Sequence, residues 1–209
     1  SFKRDPGFCD VVTYKGNGTS GRTVKHNLGV APELLIVKGI NYNGDWGVYN
    51  SASGNTKYTR LNSENAESTT SFWNNTTPSA TTFTLNSNNN VNGDYYYLAL
   101  LFATKAGISK VGTYTGTGND INVDCGFSAG ARFVLIKRTS ANYSDWYVYD
   151  TVRGINSGDD PYLLLNHAGQ AEQTGTDYID PLNAGFTITS SAPAALNNSG
   201  DTYLFLAVA

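Results

Sequence analysis

The chain has 209 residues, of which only 15% are charged, and its net charge is −3. It has no basic run or stripe and no apolar run long enough to cross a bilayer, so we expect neither nucleic acid nor a membrane as a partner. Its 14 Tyr, 9 Phe and 22 Gly indicate β-structure, because aromatic residues suit pleated strands and Gly supplies turns.

The chain repeats itself at a spacing of roughly 100 residues, the size of a small β-sandwich domain. Six segments recur in the same order, which indicates an internal duplication with repeats at 1–105 and 106–209. The matching pairs are 13–18 with 113–118, 34–38 with 133–137, 45–50 with 145–150, 58–62 with 162–166, 83–85 with 186–188, and 94–103 with 200–209.

Each repeat contains about seven short segments with strand composition, separated by turn residues, which predicts two tandem β-sandwiches. The runs 98–102 and 204–208 are almost wholly apolar and should be central strands buried on both faces. Gly16-Asn17-Gly18 predicts a hairpin turn. The strands predicted in chain order are 11–14, 23–26, 33–38, 45–49, 57–61, 82–85 and 95–102, then 110–114, 121–124, 132–138, 145–149, 162–165, 186–189 and 202–208.

The recurring Asp-Trp-x-Val-Tyr strand supplies the most tempting candidates for chemistry. Asp45 and Asp145 occupy the same position of two different repeats, so they do not form a carboxylate pair within one site. We interpret them as residues that start a strand after a loop, and we expect no enzymatic activity. Trp46 and Trp146 alternate with an inward Val and are predicted to lie in the core, as is Trp73.

The histidines and cysteines occupy non-equivalent positions in the two repeats. His26 and His167 match no metal-binding pattern, and we interpret His26 as a hydrogen-bonding residue at a strand end. A disulfide between Cys9 and Cys125 is the alternative, but because their places do not match we predict free, partly buried thiols, which fits assembly in a reducing cytoplasm.

Several acidic residues of the second repeat could instead supply oxygen ligands to calcium: Asp159, Asp160, Asp177 and Asp180. The alternative is that these carboxylates accept hydrogen bonds from their own loops, as in Asx-turns. We favour that alternative and expect neither a metal nor a cofactor.

The loop before each Asp-Trp strand offers one aromatic side chain with flanking amides. Asn41, Tyr42 and Asn43 lie in the first repeat, and Asn142 and Tyr143 lie at the matching place in the second. Loops on a rigid β-scaffold often carry binding functions, so these five residues are the candidate ligand-binding residues. Plain solvated turns remain the alternative.

Several long motifs, among them VKHNLGVAPELLIVK (24–38), DWGVYN (45–50), DWYVYD (145–150) and DPYLLLN (160–166), resemble a β-rich domain of unknown function. That domain is found, in duplicated form, in tail-fibre and other virion structural proteins of marine bacteriophages. The resemblance implies a jelly-roll or concanavalin-like sandwich, an internal position in a longer chain, and a homotrimer that is assembled in the host cytoplasm and exposed on the virion.

Two functions follow as expectations. One is a non-catalytic, lectin-like tail-fibre segment that contributes to recognition of a bacterial surface glycan or protein, where several copies strengthen weak contacts. The other is a purely structural spacer, head fibre or capsid decoration domain without a receptor of its own. The expected partners are other copies of the chain and other virion proteins.

Overall fold

The computed structural model describes residues 4–167 and 169–209. Within these residues the chain is nearly all β, with sixteen strands and one four-residue helix, so the prediction of an all-β protein is confirmed. No helix in the described part is long and apolar enough to cross a membrane. The chain divides into two compact units: one comprises residues up to Asn62 together with Glu67–Thr104, and the other comprises Ser63–Ala66 and Lys105–Ala209.

The first unit contains a larger sheet and a smaller one, both antiparallel. Its strands are β1 (Cys9–Lys15), β2 (Arg22–Lys25), β3 (Leu34–Gly39), β4 (Gly47–Asn50), β5 (Lys57–Arg60), β6 (Ser68–Thr69), β7 (Thr82–Leu85) and β8 (Tyr96–Phe102). The larger sheet has the order β1-β8-β3-β4-β5-β6, and β2 pairs with β7 in the smaller one.

The second unit is built in the same way. Its strands are β9 (Ser109–Thr115), β10 (Ile121–Asp124), β11 (Phe133–Arg138), β12 (Trp146–Asp150), β13 (Leu163–Leu164), β14 (Ile179–Leu182), β15 (Gly185–Ile188) and β16 (Thr202–Val208), with α1 (Ala194–Asn197) before the last strand. The larger sheet has the order β13-β12-β11-β16-β9, and the smaller one has the order β10-β15-β14.

The strand order of the larger sheet is therefore the same in both units, apart from the additional β6. The register agrees as well, since Tyr14 lies opposite Tyr97 and Tyr114 lies opposite Tyr203. This correspondence allows each residue of one unit to be compared with its equivalent in the other.

Each unit has one main hydrophobic cluster, to which both of its sheets contribute. In the first unit Val37 and Tyr49 of the larger sheet share a cluster with Val24 and Phe83 of the smaller one. Burial of such side chains contributes about 1.5–3 kcal/mol each and is the main force that holds the sheets of a unit together.

The second unit repeats this arrangement. Val134 and Tyr149 of its larger sheet share a cluster with Val123 and Phe186 of its smaller sheet. The Phe186 ring meets the Phe205 ring edge-on, with centroids 5.3 Å apart.

Stacked tyrosines tie the first strand of each unit to its last strand. The ring centroids lie 5.1 Å apart for Tyr14 and Tyr97, and 4.8 Å apart for Tyr114 and Tyr203. The Tyr97 hydroxyl also donates a hydrogen bond of 2.6 Å to the Asn89 carbonyl, which fixes the loop that leads into β8.

Gly16 to Gly18 begins the segment 16–21 that joins β1 to β2, and these two strands lie in different sheets. The segment is therefore a crossover between sheets, and the predicted hairpin turn is wrong. Gly16 is required there because a Cβ atom would lie 1.9 Å from the Gly93 carbonyl oxygen, far inside contact distance. Gly18 has a φ of 65°, which favours glycine.

The Asp-Trp strand turns a different face to the cluster than predicted. Tyr49 and Tyr149 belong to the hydrophobic clusters of their units. Trp46 and Trp146 alternate with these tyrosines along the chain and belong to neither cluster. Trp146 is 1% exposed, but Trp46 is only partly buried, so the prediction of a core position is wrong for Trp46. Trp73, also 1% exposed, donates through Nε1 to the Lys57 carbonyl at 2.8 Å and is structural as predicted.

The central strands are not all buried on both faces. In β16 Leu204–Ala207 is wholly buried, as predicted, whereas Val208 at the end of the predicted run is half-buried. In β8 burial alternates, because Tyr97 and Leu101 are buried whereas Leu98 and Leu100 are half-buried. One face of β8 is therefore partly exposed to solvent, and it includes Tyr96, a residue of the candidate site described below.

Candidate functional site

Lys38 stabilises the loop between β3 and β4 through hydrogen bonds to its backbone. Its ammonium donates to the Gly44 carbonyl at 2.7 Å and to the Tyr42 carbonyl at 3.2 Å. The Tyr42 ring stacks on Tyr95 with centroids 4.6 Å apart and is half-buried. The predicted binding residue Tyr42 therefore packs within its own unit, whereas Asn43 is exposed.

In each unit an Asp and an Asn side chain form a hydrogen bond at the end of this loop, and we call this pair the Asp–Asn bracket. Asn62 donates to Asp45 at 3.0 Å and accepts from the Trp46 backbone N–H at 3.0 Å, and Arg60 forms an ion pair with Asp45 at 2.8 Å. The carboxylate thus fixes the start of β4, as the sequence predicted for Asp45.

The second unit uses the same bracket with one different partner. Asn166 donates to Asp145 at 2.7 Å and accepts from the Trp146 N–H at 2.8 Å. His167 takes the place of the arginine, with Nε2 lying 3.0 Å from the Asp145 carboxylate. The interpretation of Asp145 as a strand-starting residue is therefore confirmed.

Lys137 occupies the position of Lys38 but is completely buried. Its ammonium donates to the Ser144 carbonyl, next to the Asp-Trp pair. Burial lowers the pKa of Lys137 to about 8, although the nearby Asp145 and Glu64 carboxylates favour the charged form.

The matching loop of the second unit presents its tyrosine to solvent. Tyr143 is 85% exposed, with a φ of 60°, an uncommon value for a non-glycine residue. The Asn142 side-chain oxygen accepts from the Ala66 N–H at 2.8 Å. Tyr42 and Tyr143 are thus equivalent in sequence but not in exposure.

The first unit has an exposed apolar pair that sequence reasoning missed. Ile40 is 61% exposed and Tyr96 is 56% exposed, and the Ile40 N–H donates to the Tyr96 carbonyl at 2.7 Å. Asn41, a predicted site residue, accepts from the Tyr96 N–H at 2.8 Å. Lys15 lies 5.0 Å from the Tyr96 ring centre and forms an ion pair with Asp94 at 2.8 Å. We call Lys15, Ile40, Asn41, Asp94 and Tyr96 the Tyr96 patch.

The equivalent place in the second unit is polar. The Thr139 N–H donates to the Thr202 carbonyl at 2.9 Å, in the way that Ile40 donates to Tyr96. Ser140 accepts from the Thr202 N–H at 3.1 Å and donates to Asp201 at 2.7 Å. The same backbone therefore carries an apolar surface in one unit and a polar surface in the other.

The acidic residues of the second unit mostly organise loops. Asp160 accepts backbone N–H bonds from Asn156, Tyr178 and Ile179, and Asp159 accepts them from Gly175 and Thr176. No group of three or more His, Cys, Asp or Glu side chains in residues 4–167 and 169–209 is placed to hold a metal ion.

Two neighbouring carboxylates are less well satisfied. One oxygen each of Asp177 and Asp180 is buried and accepts no hydrogen bond from the described residues. Burial, together with the Asp177 charge, raises the pKa of Asp180.

The remaining sequence candidates are structural. His26 is 4% exposed, lies just beyond β2, contacts the Ser79 carbonyl at 3.2 Å through Nε2 and accepts from the Leu28 N–H at 3.3 Å, so its prediction is confirmed. Cys9 and Cys125 form no disulfide, as predicted, and both thiols are more completely buried than the sequence suggested.

A family model described as "Domain of unknown function (DUF7483)" matches residues 1–209, the whole chain. The chain belongs to this family. The description of DUF7483 states no function and mentions neither phages nor tail fibres. No curated protein matches the chain, and no solved structure matches it. The function of this DUF7483 chain therefore has to be argued from its own residues.

Proposed function

We propose that this DUF7483 chain is a non-catalytic, exposed protein of a bacteriophage virion, a tail-fibre segment that contributes to recognition of the host surface. The observation that carries the proposal is the Tyr96 patch, with Tyr143 as a second exposed aromatic side chain. The resemblance of the sequence motifs to tail-fibre domains supports the location on the outer face of the virion.

The chemistry of the Tyr96 patch suits recognition of a bacterial surface molecule. The half-exposed Tyr96 ring offers an aromatic face, and Ile40 extends the apolar area beside it. Lys15 and Asp94 supply a charged donor and acceptor at its margin. Tyrosine surrounded by polar side chains is a frequent contact residue in binding surfaces, because it combines a large rigid area with a polar end.

The polar equivalents in the second unit strengthen this interpretation. Folding alone does not require an apolar pair at this place, since Thr139 and Thr202 keep the same backbone hydrogen bond. Exposed apolar side chains that sit next to each other are typical of interaction sites, whereas scattered single ones are ordinary. Several copies in a homotrimeric fibre would turn weak patch contacts into firm attachment.

In this proposal each unit is a β-sandwich of jelly-roll or concanavalin-like type. The shared clusters, to which both sheets of a unit contribute, support it. Nuclear Overhauser contacts between Phe186 of the smaller sheet and Phe205 of the larger one are expected, since their ring centroids lie 5.3 Å apart. Their absence from a folded sample would refute the sandwich.

The function is tested with the fluorescently labelled chain and a panel of bacterial cells. The double variant Ile40→Thr/Tyr96→Thr gives the first unit the residues of the second, so the backbone should be undisturbed. Val152→Thr is the matched control, because Val152 is 93% exposed and lies outside the patch.

Saturable binding to some strains that is lost in the double variant and kept in the control would support the proposal. Binding that survives in the double variant would refute the patch as the receptor site. If the folded chain in its native oligomer binds no strain, the recognition function is wrong, and the structural spacer becomes the better interpretation.

A further inference from the structure

The second unit contains a cleft of about 370 Å³ between β9 and β10. Both strands are edge strands of their sheets, so the cleft lies where an edge of the larger sheet meets an edge of the smaller one. Its floor is formed by Gly112, Tyr114, Ile121 and Phe205. Clefts that bind small molecules usually have volumes of roughly 300–1,000 Å³, so this one suits a ligand at the small end of that range.

The rim of the cleft is polar and carries both charges. Lys110 lies on the β9 side, and Asn122 and Asp124 lie on the β10 side. Both Lys110 and Asp124 are close enough to the buried Cys125 to influence the pKa of its thiol in opposite directions. Their opposite charges offset each other, so the rim offers hydrogen-bond donors and acceptors without a net preference for an anion or a cation.

The corresponding edge of the first unit is packed with different side chains. By strand register Val12 is the equivalent of Gly112, and the residues opposite them are Ala99 in β8 and Phe205 in β16. Val12 packs against the cluster of its unit. In the second unit the Phe205 ring lies against Gly112, where a Cβ atom would be 2.8 Å from it, so an aromatic ring replaces the valine at this edge.

A second replacement changes the charge of this edge. Arg22 is the equivalent of Ile121, since Arg22 pairs with the last residue of β7 and Ile121 with the last residue of β15. The Arg22 guanidinium lies 5.9 Å from the Tyr14 ring centre. Tyr14 and Tyr114 are both 8% exposed, so the exchange keeps the tyrosine buried and puts an apolar side chain beside it in place of a cation.

We propose that the cleft between β9 and β10 binds a single neutral sugar residue. The ring faces of a sugar carry C–H groups that pack on an apolar floor, and its hydroxyl groups both donate and accept hydrogen bonds. A floor of Gly112, Tyr114 and Ile121 with a rim of mixed charge provides both. This site uses other residues than the Tyr96 patch and does not depend on the proposed receptor function.

The test uses the whole chain, labelled with ¹⁵N, and free D-glucose, D-galactose, D-mannose and N-acetyl-D-glucosamine as separate probes. At least one sugar should cause saturable shifts of the Gly112 and Asn122 amide signals. Ile121→Arg, which introduces the residue of the first unit, should abolish these shifts. Asp124→Asn should weaken binding about tenfold, because it removes one charge-assisted hydrogen bond.

Two controls separate the outcomes. Asp124→Asn keeps an acceptor for the Gly126 N–H, which Asp124 binds at 2.8 Å, so it tests the site if Ile121→Arg fails to fold. Ile40→Thr/Tyr96→Thr should bind the sugar as the unchanged chain does, which distinguishes this site from the Tyr96 patch. Absence of cleft shifts with all four sugars, or shifts that persist at full strength in Ile121→Arg, would overturn the proposal.

Discussion

Replacement of Lys137 by Met should remove a pH-dependent part of the free energy of unfolding. Lys137 is fully buried, and burial lowers its pKa from 10.5 to about 8. The unfolded chain keeps the lysine protonated up to its ordinary pKa, so in the interval between these values the unfolded state binds more protons than the folded state. Stability from this group therefore rises as the pH rises from about 8 to about 10.5, and it is lost as the pH falls back from 10.5 to about 8.

The magnitude follows from the two pKa values. The difference between 10.5 and about 8 corresponds to about 3 kcal/mol when one pKa unit equals about 1.4 kcal/mol. Met has a similar length and no charge, so it should fill the position without the cost of a buried ammonium. The variant should thus gain stability relative to the unchanged chain near neutral pH and lose most of that gain in alkaline solution.

Urea unfolding over a series of pH values measures this difference directly. Lys38→Met is the matched control, because it removes the equivalent ammonium from a half-buried position. Subtraction of the variant's stability from that of the unchanged chain cancels the titration of tyrosines and of Cys125, which both chains share. A difference that stays constant within about 0.5 kcal/mol from neutral to alkaline pH would refute the reasoning.

Three further predictions concern packing, a hydroxyl and a thiol. Gly16→Ala should destabilise the chain by about 3 kcal/mol or more in urea unfolding, because the new Cβ meets the Gly93 carbonyl at 1.9 Å; a loss below about 1 kcal/mol would contradict this. Tyr203→Phe should cost about 1–2 kcal/mol in the same assay, since the hydroxyl donates to the Ala194 carbonyl at 2.7 Å; an unchanged midpoint would argue against that bond. Burial raises the pKa of the Cys125 thiol from 9.0 to about 12, so the unfolded chain releases this proton first and stability should fall as the pH rises above 9.0. Cys125→Ala should lack this part of the fall, and an identical alkaline profile would show that the thiol does not contribute.

The repeats made much of the framework predictable. Asp45 and Asp145 recur at the same place, and both fix the start of a strand through an asparagine. The strand β14 was missed because Pro181 within it argues against a central strand. The proline is tolerated because β14 is the edge strand of its sheet, a fact of tertiary structure that the local pattern does not contain.

The candidate site was predictable only in part. Tyr42 and Tyr143 look alike in sequence, but the contact with Tyr95 that covers Tyr42 is made by a residue far along the chain. Tyr96 was overlooked because it lies at the start of an apolar strand. The alternation along β8, with Tyr97 fully buried and Tyr96 half-exposed, is the signal that could have found it.

Comparison of the two units separates what the fold requires from what each unit adds. The stacked tyrosine pairs and the Asp–Asn brackets occur in both units, so they belong to the framework. Ile40 and Tyr96 are special to the first unit, and Gly112 and Ile121 are special to the second. Since these differences lie at solvent-accessible places while the framework is kept, the duplicated units are best explained as one scaffold that carries two different surfaces, an aromatic patch on one unit and a small polar-rimmed cleft on the other.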